Sequence, residues 1–209
     1  LLNQVTTKVG GATGDLTTGN IVASTPTWSG GSASITLTTT TGMQIQYQVN
    51  GIDERSWTTV STGAQVTGLH HNDTVYARLW DGNNAGDEAS VSIIDNIAPT
   101  VSISTSNLTY NSVTLKVTAS DGQSGLATSG TYKYYLGSTL KSTSTSSSYN
   151  YTGLTASTSY TLKVIVTDKA GKTTEKSTTI KTSAPPEYVD SVLPSAPELA
   201  EGMTPVKWN

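Results

Sequence analysis

The sequence predicts an all-β protein made of two tandem antiparallel β-sandwiches, and three observations predict it. The chain echoes itself: residues 151–171 read YTGLTASTSYTLKVIVTDKAG, and residues 66–86 read VTGLHHNDTVYARLWDGNNAG. Both stretches carry a Thr-Gly-Leu turn, a Thr-x-Tyr, an alternating strand, an Asp and an Ala-Gly turn, so one β-rich unit occurs twice. Ser and Thr make up roughly 30% of the residues, far above ordinary usage, which suits the solvated faces and turns of antiparallel sheets. Apolar and polar residues also alternate with period two between the turns. At 209 residues the chain holds two units of about 80–100 residues, each with its own core.

Residues 1–20 have a short apolar start followed by Gly and Thr, and read as a lead-in segment without a core of its own. The first sandwich is expected over residues 21–95. Ala33, Ile35 and Leu37 share one face of a strand; Met43, Ile45, Tyr47 and Val49 face inward on the next, with Gln44, Gln46 and Gln48 outward. Val91 and Ile93 supply the last strand. The short junction Asp95-Asn96-Ile97-Ala98-Pro99-Thr100 is stiffened by Pro99. The second sandwich is expected over residues 96–183, with inward sets Val113/Leu115/Val117, Tyr132/Tyr134/Leu136 and Tyr160/Leu162/Val164/Val166. Residues 184–209 carry repeated prolines and read as an extended linker towards a further domain.

Composition narrows the function. With 12 basic and 15 acidic side chains and a net charge of −3, no basic stripe suggests nucleic acid or a membrane surface. The chain has no Cys, which leans towards a bacterial exported protein rather than a disulfide-bonded mammalian one, with a cytosolic chain as the alternative. The absence of an initial Met reads as a mature or trimmed fragment. The Asn-x-Thr triplets at Asn72, Asn107 and Asn150 carry little weight in so Thr-rich a chain. The two histidines, His70 and His71, are adjacent in a polar turn, and no nucleophile motif or phosphate-cradling loop is present, so no catalytic residues are assigned and the chain reads as non-enzymatic.

The run Gly153-Leu154-Thr155-Ala156-Ser157-Thr158-Ser159-Tyr160 resembles the fibronectin type III signature, in which the tyrosine packs at a corner and its hydroxyl ties turn to strand. Ala156 stands where that family often has Pro. The first copy, Gly68 to Tyr76, departs from that signature by one extra residue, which leaves the phase of Tyr76 open. The runs Asn96–Thr100, DGQSGLA at 121–127 and Thr-Asp-Lys-Ala-Gly at 167–171 look like bacterial Ig-like repeats of Firmicute surface proteins, and the tail GMTPVKWN resembles the start of another domain of such proteins. The resemblance therefore implies tandem Ig-like/fibronectin type III-like sandwiches on a bacterial cell surface. It also implies binding of a host extracellular protein, immunoglobulin in a superantigen-like manner included. Surface sandwiches of this kind sometimes form Lys–Asn isopeptide bonds. Lys116 and Lys163 fall on the outward phase of their strands, so none is expected.

Two candidate sites follow. If the extra residue shifts the phase, Val75, Ala77 and Leu79 point inward while Tyr76, Arg78 and Trp80 point out beside Gln44, Gln46 and Gln48. Such a patch of aromatics, Arg and amides suits a protein hot spot or a sugar ring; alternatively, residues 1–20, a loop or the neighbouring domain cover it, or Trp80 is core. The first sandwich, with Trp28, Trp57 and Trp80, is the expected binding domain, with a glycan-binding module or a purely structural stalk as alternatives. In the immunoglobulin-like topology, the chain entry and the loops after the second and sixth strands share one pole. That would bring Asp95, Asp121 and Asp168 together at the interdomain junction, where three carboxylates could hold calcium; the alternative is that each Asp closes its own turn. No other cofactor is expected.

Overall fold

The computed structural model describes residues 20–51, 53 and 55–187. Residues 1–19 of the expected lead-in and 188–209 of the expected linker lie outside the described residues. The first sandwich contains β1 (Ile21–Ala23), β2 (Thr27–Ser29), β3 (Ser32–Thr39), β4 (Gln44–Val49), β5 (Thr58–Val60), β6 (Ala64–Leu69), β7 (Thr74–Trp80) and β8 (Ala89–Ser92). The second contains β9 (Thr100–Ser106), β10 (Ser112–Ser120), β11 (Tyr132–Leu136), β12 (Thr139–Ser144), β13 (Ser148–Thr152), β14 (Ser159–Thr167) and β15 (Thr173–Lys181).

The two halves share one topology. In the first, β3 pairs with β1, β2 and β6, opposite a sheet of order β5-β4-β7-β8. In the second, β13-β10-β9 faces β12-β11-β14-β15. Every pairing is antiparallel. These are fibronectin type III-like sandwiches in tandem. β1 and β2 are successive segments against β3, pairing with Leu37–Thr39 and with Ser32–Ser34 respectively. Pro26 lies between them, and a residue without an N–H interrupts a ladder.

The sequence echo is also a backbone echo. Gly68 and Gly153 adopt φ of 72° and 69°, and three residues after each buried leucine come Asn72 and Ser157, at φ of 72° and 53°. The left-handed turn positions are thus occupied alike in both copies, by Gly and by small polar residues that tolerate them.

Each sandwich has its own core, as the period-two alternation predicts. Ala33, Ile35, Leu37, Ile45, Val75, Ala77, Leu79, Val91 and Ile93 are buried in the first, with Met43 and Tyr47 packed against them. Val49 departs from the expected inward set: it ends β4 at the Asn50 turn (φ 59°) and is 37% exposed. The second core holds Val113, Leu115, Val117, Tyr132, Tyr134, Leu162, Val164 and Val166, with Leu136 and Tyr160 partly buried against it. Lys116 is exposed, and Lys163 pairs with Glu175 at 3.2 Å over the Tyr135 ring.

A chain without Phe builds its aromatic core from tyrosine, and each buried phenol then needs a partner. Tyr134 donates to the Ser146 carbonyl at 2.7 Å and Tyr151 to the Tyr135 carbonyl at 2.9 Å. Tyr149 bridges their rings, stacking on Tyr134 and meeting Tyr151 edge-on. Burial pushes both phenols, Tyr134 and Tyr151, far above the ordinary tyrosine range.

The sandwiches meet through a strand-free connection at residues 93–99. The Asn96 N–H donates to Gln123 Oε1 and the Ser124 N–H to Asp95 Oδ2, while Thr174 Oγ1 donates to the Pro99 carbonyl at 2.6 Å. From the first sandwich, His71 Nδ1 accepts the Asp95 N–H at 3.0 Å. The connection is bonded on both sides.

Candidate functional site

Asp95 follows β8, Asp121 follows β10 and Asp168 follows β14, and the topology places these strand ends at one pole. There the three carboxylates each contribute an oxygen to a group lying within 4.8 Å of one another. Asp95 is fully buried and Asp168 is 2% exposed.

Each Asp closes its own turn, and they converge as well. Asp95 Oδ1 accepts the Ile97 N–H, Asp121 Oδ1 the N–H groups of Gln123 and Gly125, and Asp168 Oδ1 the Lys172 N–H. The second oxygens differ in fate. Asp95 Oδ2 receives the Ser124 N–H, whereas Asp121 Oδ2 and Asp168 Oδ2 are buried without a donor. Among the described residues, no Lys or Arg pairs with any of the three.

Their electrostatics diverge accordingly. Burial opposes the charge of Asp95, but hydrogen bonds from Ser124 and Ile97 outweigh it and hold the carboxyl below the usual range. Burial, joined by the charges of Asp95 and Asp121, pushes Asp168 above that range against the Lys172 hydrogen bond. An all-oxygen, anionic donor set of this kind suits a hard cation.

The other expected site, on the first sandwich, takes the shifted phase of the two that were open, but its centre is not exposed. β4 pairs with β7 so that Gln44, Gln46 and Gln48 stand opposite Trp80, Arg78 and Tyr76, with Val75, Ala77 and Leu79 in the core. Gln44 is exposed, and Tyr76 and Trp80 are half-buried. Gln46, Gln48 and Arg78 are only 8%, 5% and 8% exposed, so the centre of the expected patch is closed.

The cover is local. Trp57, on the connection between β4 and β5, lies over the Arg78 guanidinium, 4.0 Å from its ring centroid. Arg78 Nε donates to Gln46 Oε1 at 2.9 Å, and Glu88 lies 3.8 Å from Arg78 Nη1. Gln48 Oε1 accepts from the Asp53 N–H and from Ser56 Oγ. Gln46 Oε1 and Gln48 Oε1 thus spend their hydrogen bonds within the domain, while Gln48 Nε2 and Trp57 Nε1 are buried without a partner.

Four contributors carried no sequence signal of their role. Trp57 and Glu88 cover the sheet from separate loops. Ser124 and His71 build the joint, His71 through its ring nitrogen, while His70 stays exposed beside Asp73.

No protein-family model matches the chain. A curated relative, Exoglucanase B of Cellulomonas fimi, is 32% identical over 160 residues, covering 70% of this chain and 15% of the relative's length. Among solved structures, a two-domain fibronectin type III segment of chicken tenascin is similar at 15% identity, with 78% of this chain and 98% of that one covered and a TM-score of 0.46. Fibronectin(III)-like modules of Clostridium thermocellum CbhA are similar at 12% identity, covering 78% and 94%, with a TM-score of 0.35.

Proposed function

We propose that this chain is a non-catalytic tandem module of an exported bacterial protein, holding whatever lies on either side of it at a fixed separation and angle. The carrying observation is the joint: residues 95–99 are hydrogen-bonded to the first sandwich through His71 and to the second through Gln123, Ser124 and Thr174. A freely hinged pair would leave such a connection to solvent. The match to a stretch that makes up 15% of an exoglucanase supports a modular setting in a longer chain, and the lack of Cys is compatible with a bacterial exported protein. Small-angle X-ray scattering should fit a single elongated shape. A broad distribution of inter-sandwich angles would sink the spacer reading.

Recognition of a host protein such as immunoglobulin, or of a glycan, would fall on the part of the first sheet left open: Gln44, Tyr76 and Trp80. Capture of such a ligand by the wild type and not by Trp80→Ala would establish that role.

A further inference from the structure

We infer that Asp95, Asp121 and Asp168 form a calcium site that locks the joint between the two sandwiches. Two independent observations carry this. The first is convergence: three carboxylate oxygens from three separate strand ends lie within 4.8 Å of one another. Two oxygens bound to one Ca²⁺ stand at most about 4.6–5.2 Å apart, twice the metal–oxygen distance. The second is an unanswered polar atom. Asp168, 2% exposed, keeps Oδ2 buried with no donor, and Asp121 Oδ2 is in the same condition. Buried carboxylate oxygens without partners are costly, and a bound ion is one of the few ways to meet the cost.

The turns are already built to present these oxygens. Each Asp spends Oδ1 on backbone N–H groups of its own turn, which fixes the side chain before any ion arrives. Five backbone donors in all, counting Ser124 N–H on Asp95 Oδ2, orient the carboxylates without neutralising them. Asp81 shows what an ordinary turn aspartate looks like here: it accepts from Asn83 and Asn84, lies exposed, and stands apart from any cluster.

The position gives the ion its role. Asp95 belongs to the connection, while Asp121 and Asp168 belong to loops of the second sandwich. One cation bridging them ties the linker to the pole on which it rests. Calcium is favoured over magnesium because the donors are protein oxygens in a buried setting, and magnesium parts reluctantly with its waters. Binding does not depend on the spacer reading; the stiffening it causes does.

The test is isothermal titration calorimetry of the chelator-treated full chain with CaCl₂, alongside MgCl₂, Asp121→Asn, Asp168→Asn and the exposed control Asp81→Asn. The site predicts one Ca²⁺ per chain, affinity weakened at least about 10-fold in Asp121→Asn and Asp168→Asn, and no change in Asp81→Asn. At saturating calcium, the wild-type melting temperature should rise by about 5–10 °C. Removing one of three clustered charges should leave calcium-free Asp168→Asn at least as stable as the wild type, so loss of binding there is not loss of fold. No calcium binding up to 10 mM (about ten times the weakest affinity usual for extracellular modules), binding that survives both substitutions, or tighter binding of magnesium would each overturn the assignment. Scattering in calcium-free buffer separates the two proposals: a chain that binds no calcium yet keeps one fixed shape removes this site and retains the spacer.

Discussion

The two copies of the repeated unit solve one local problem with different residues. In the second sandwich, the Thr155 N–H after the buried Leu154 is received by the Tyr160 hydroxyl at 2.9 Å. In the first, the matching His70 N–H after Leu69 is received by Asp73 Oδ2 at 2.6 Å, and Asp73 Oδ1 also accepts from the Asn50 side chain. The extra residue removes the tyrosine from this position, puts core residue Val75 in its phase, and leaves the turn to a carboxylate. Tyr160→Phe should therefore destabilise the second sandwich, read as a lower urea midpoint. The first sandwich should respond to acid instead. Burial opposes the Asp73 charge, but hydrogen bonds from Asn50 and His70 prevail and hold its pKa below the unfolded value of 3.8. A depressed carboxylate contributes stability above its unfolded pKa and loses it as pH falls through the folded one. Below about pH 4 the wild type should thus lose stability that Asp73→Asn never had, and the two acid-unfolding curves should converge. Curves that stay parallel across that range would refute the tie.

At the scale of elements, the β4–β7 face shows how far an alternating pattern reads. Its phase was only half legible: the alternation offers two phases for Tyr76, Arg78 and Trp80, and the cost of burying a charge favours the one that turns Arg78 away from the core. Whether that side meets water was not, because period two distinguishes the faces of a strand and says nothing of what lies over them. Trp57 and Glu88 come from separate loops, and nothing in their local sequence points at Arg78. The same limit applied to the aspartates. Each reads as an ordinary turn residue, and only the order of strands brings the three together; Ser124 and His71 carried no signal at all. The closed face makes its own prediction. Arg78→Ala removes a cation stacked on Trp57, takes the donor from Gln46 Oε1 and removes the cation beside the half-buried Glu88. It should cost about 2–3 kcal/mol, seen in urea unfolding of the first sandwich while the second keeps its midpoint. A loss under about 0.5 kcal/mol, the usual surface response, would mean that the face opens in solution and is available to a ligand.

For the whole molecule, the decisive feature is how closely the two sandwiches approach at the joint. Gly30 and Gly31 form the turn between β2 and β3, with φ of 59° and 84°. A side chain at either position strains the backbone by about 1 kcal/mol. Their surroundings differ. A Cβ on Gly30 would meet nothing within 4 Å, whereas one on Gly31 would stand 3.2 Å from the Ser124 carbonyl oxygen and 3.6 Å from Lys169 Nζ, both on the second sandwich. The Ser124 carbonyl is backbone, in the residue whose N–H holds Asp95, so it yields less readily than a flexible side chain. Gly30→Ala and Gly31→Ala should therefore lower the melting temperature of the first sandwich alike, through the same strain. Only Gly31→Ala should push the poles apart, widen the distribution of shapes in small-angle scattering and weaken calcium binding through the displaced Ser124–Asp95 contact. Identical scattering from the two variants would show that the joint has slack, and that the hydrogen bonds across residues 95–99, rather than close packing, set the angle between the sandwiches.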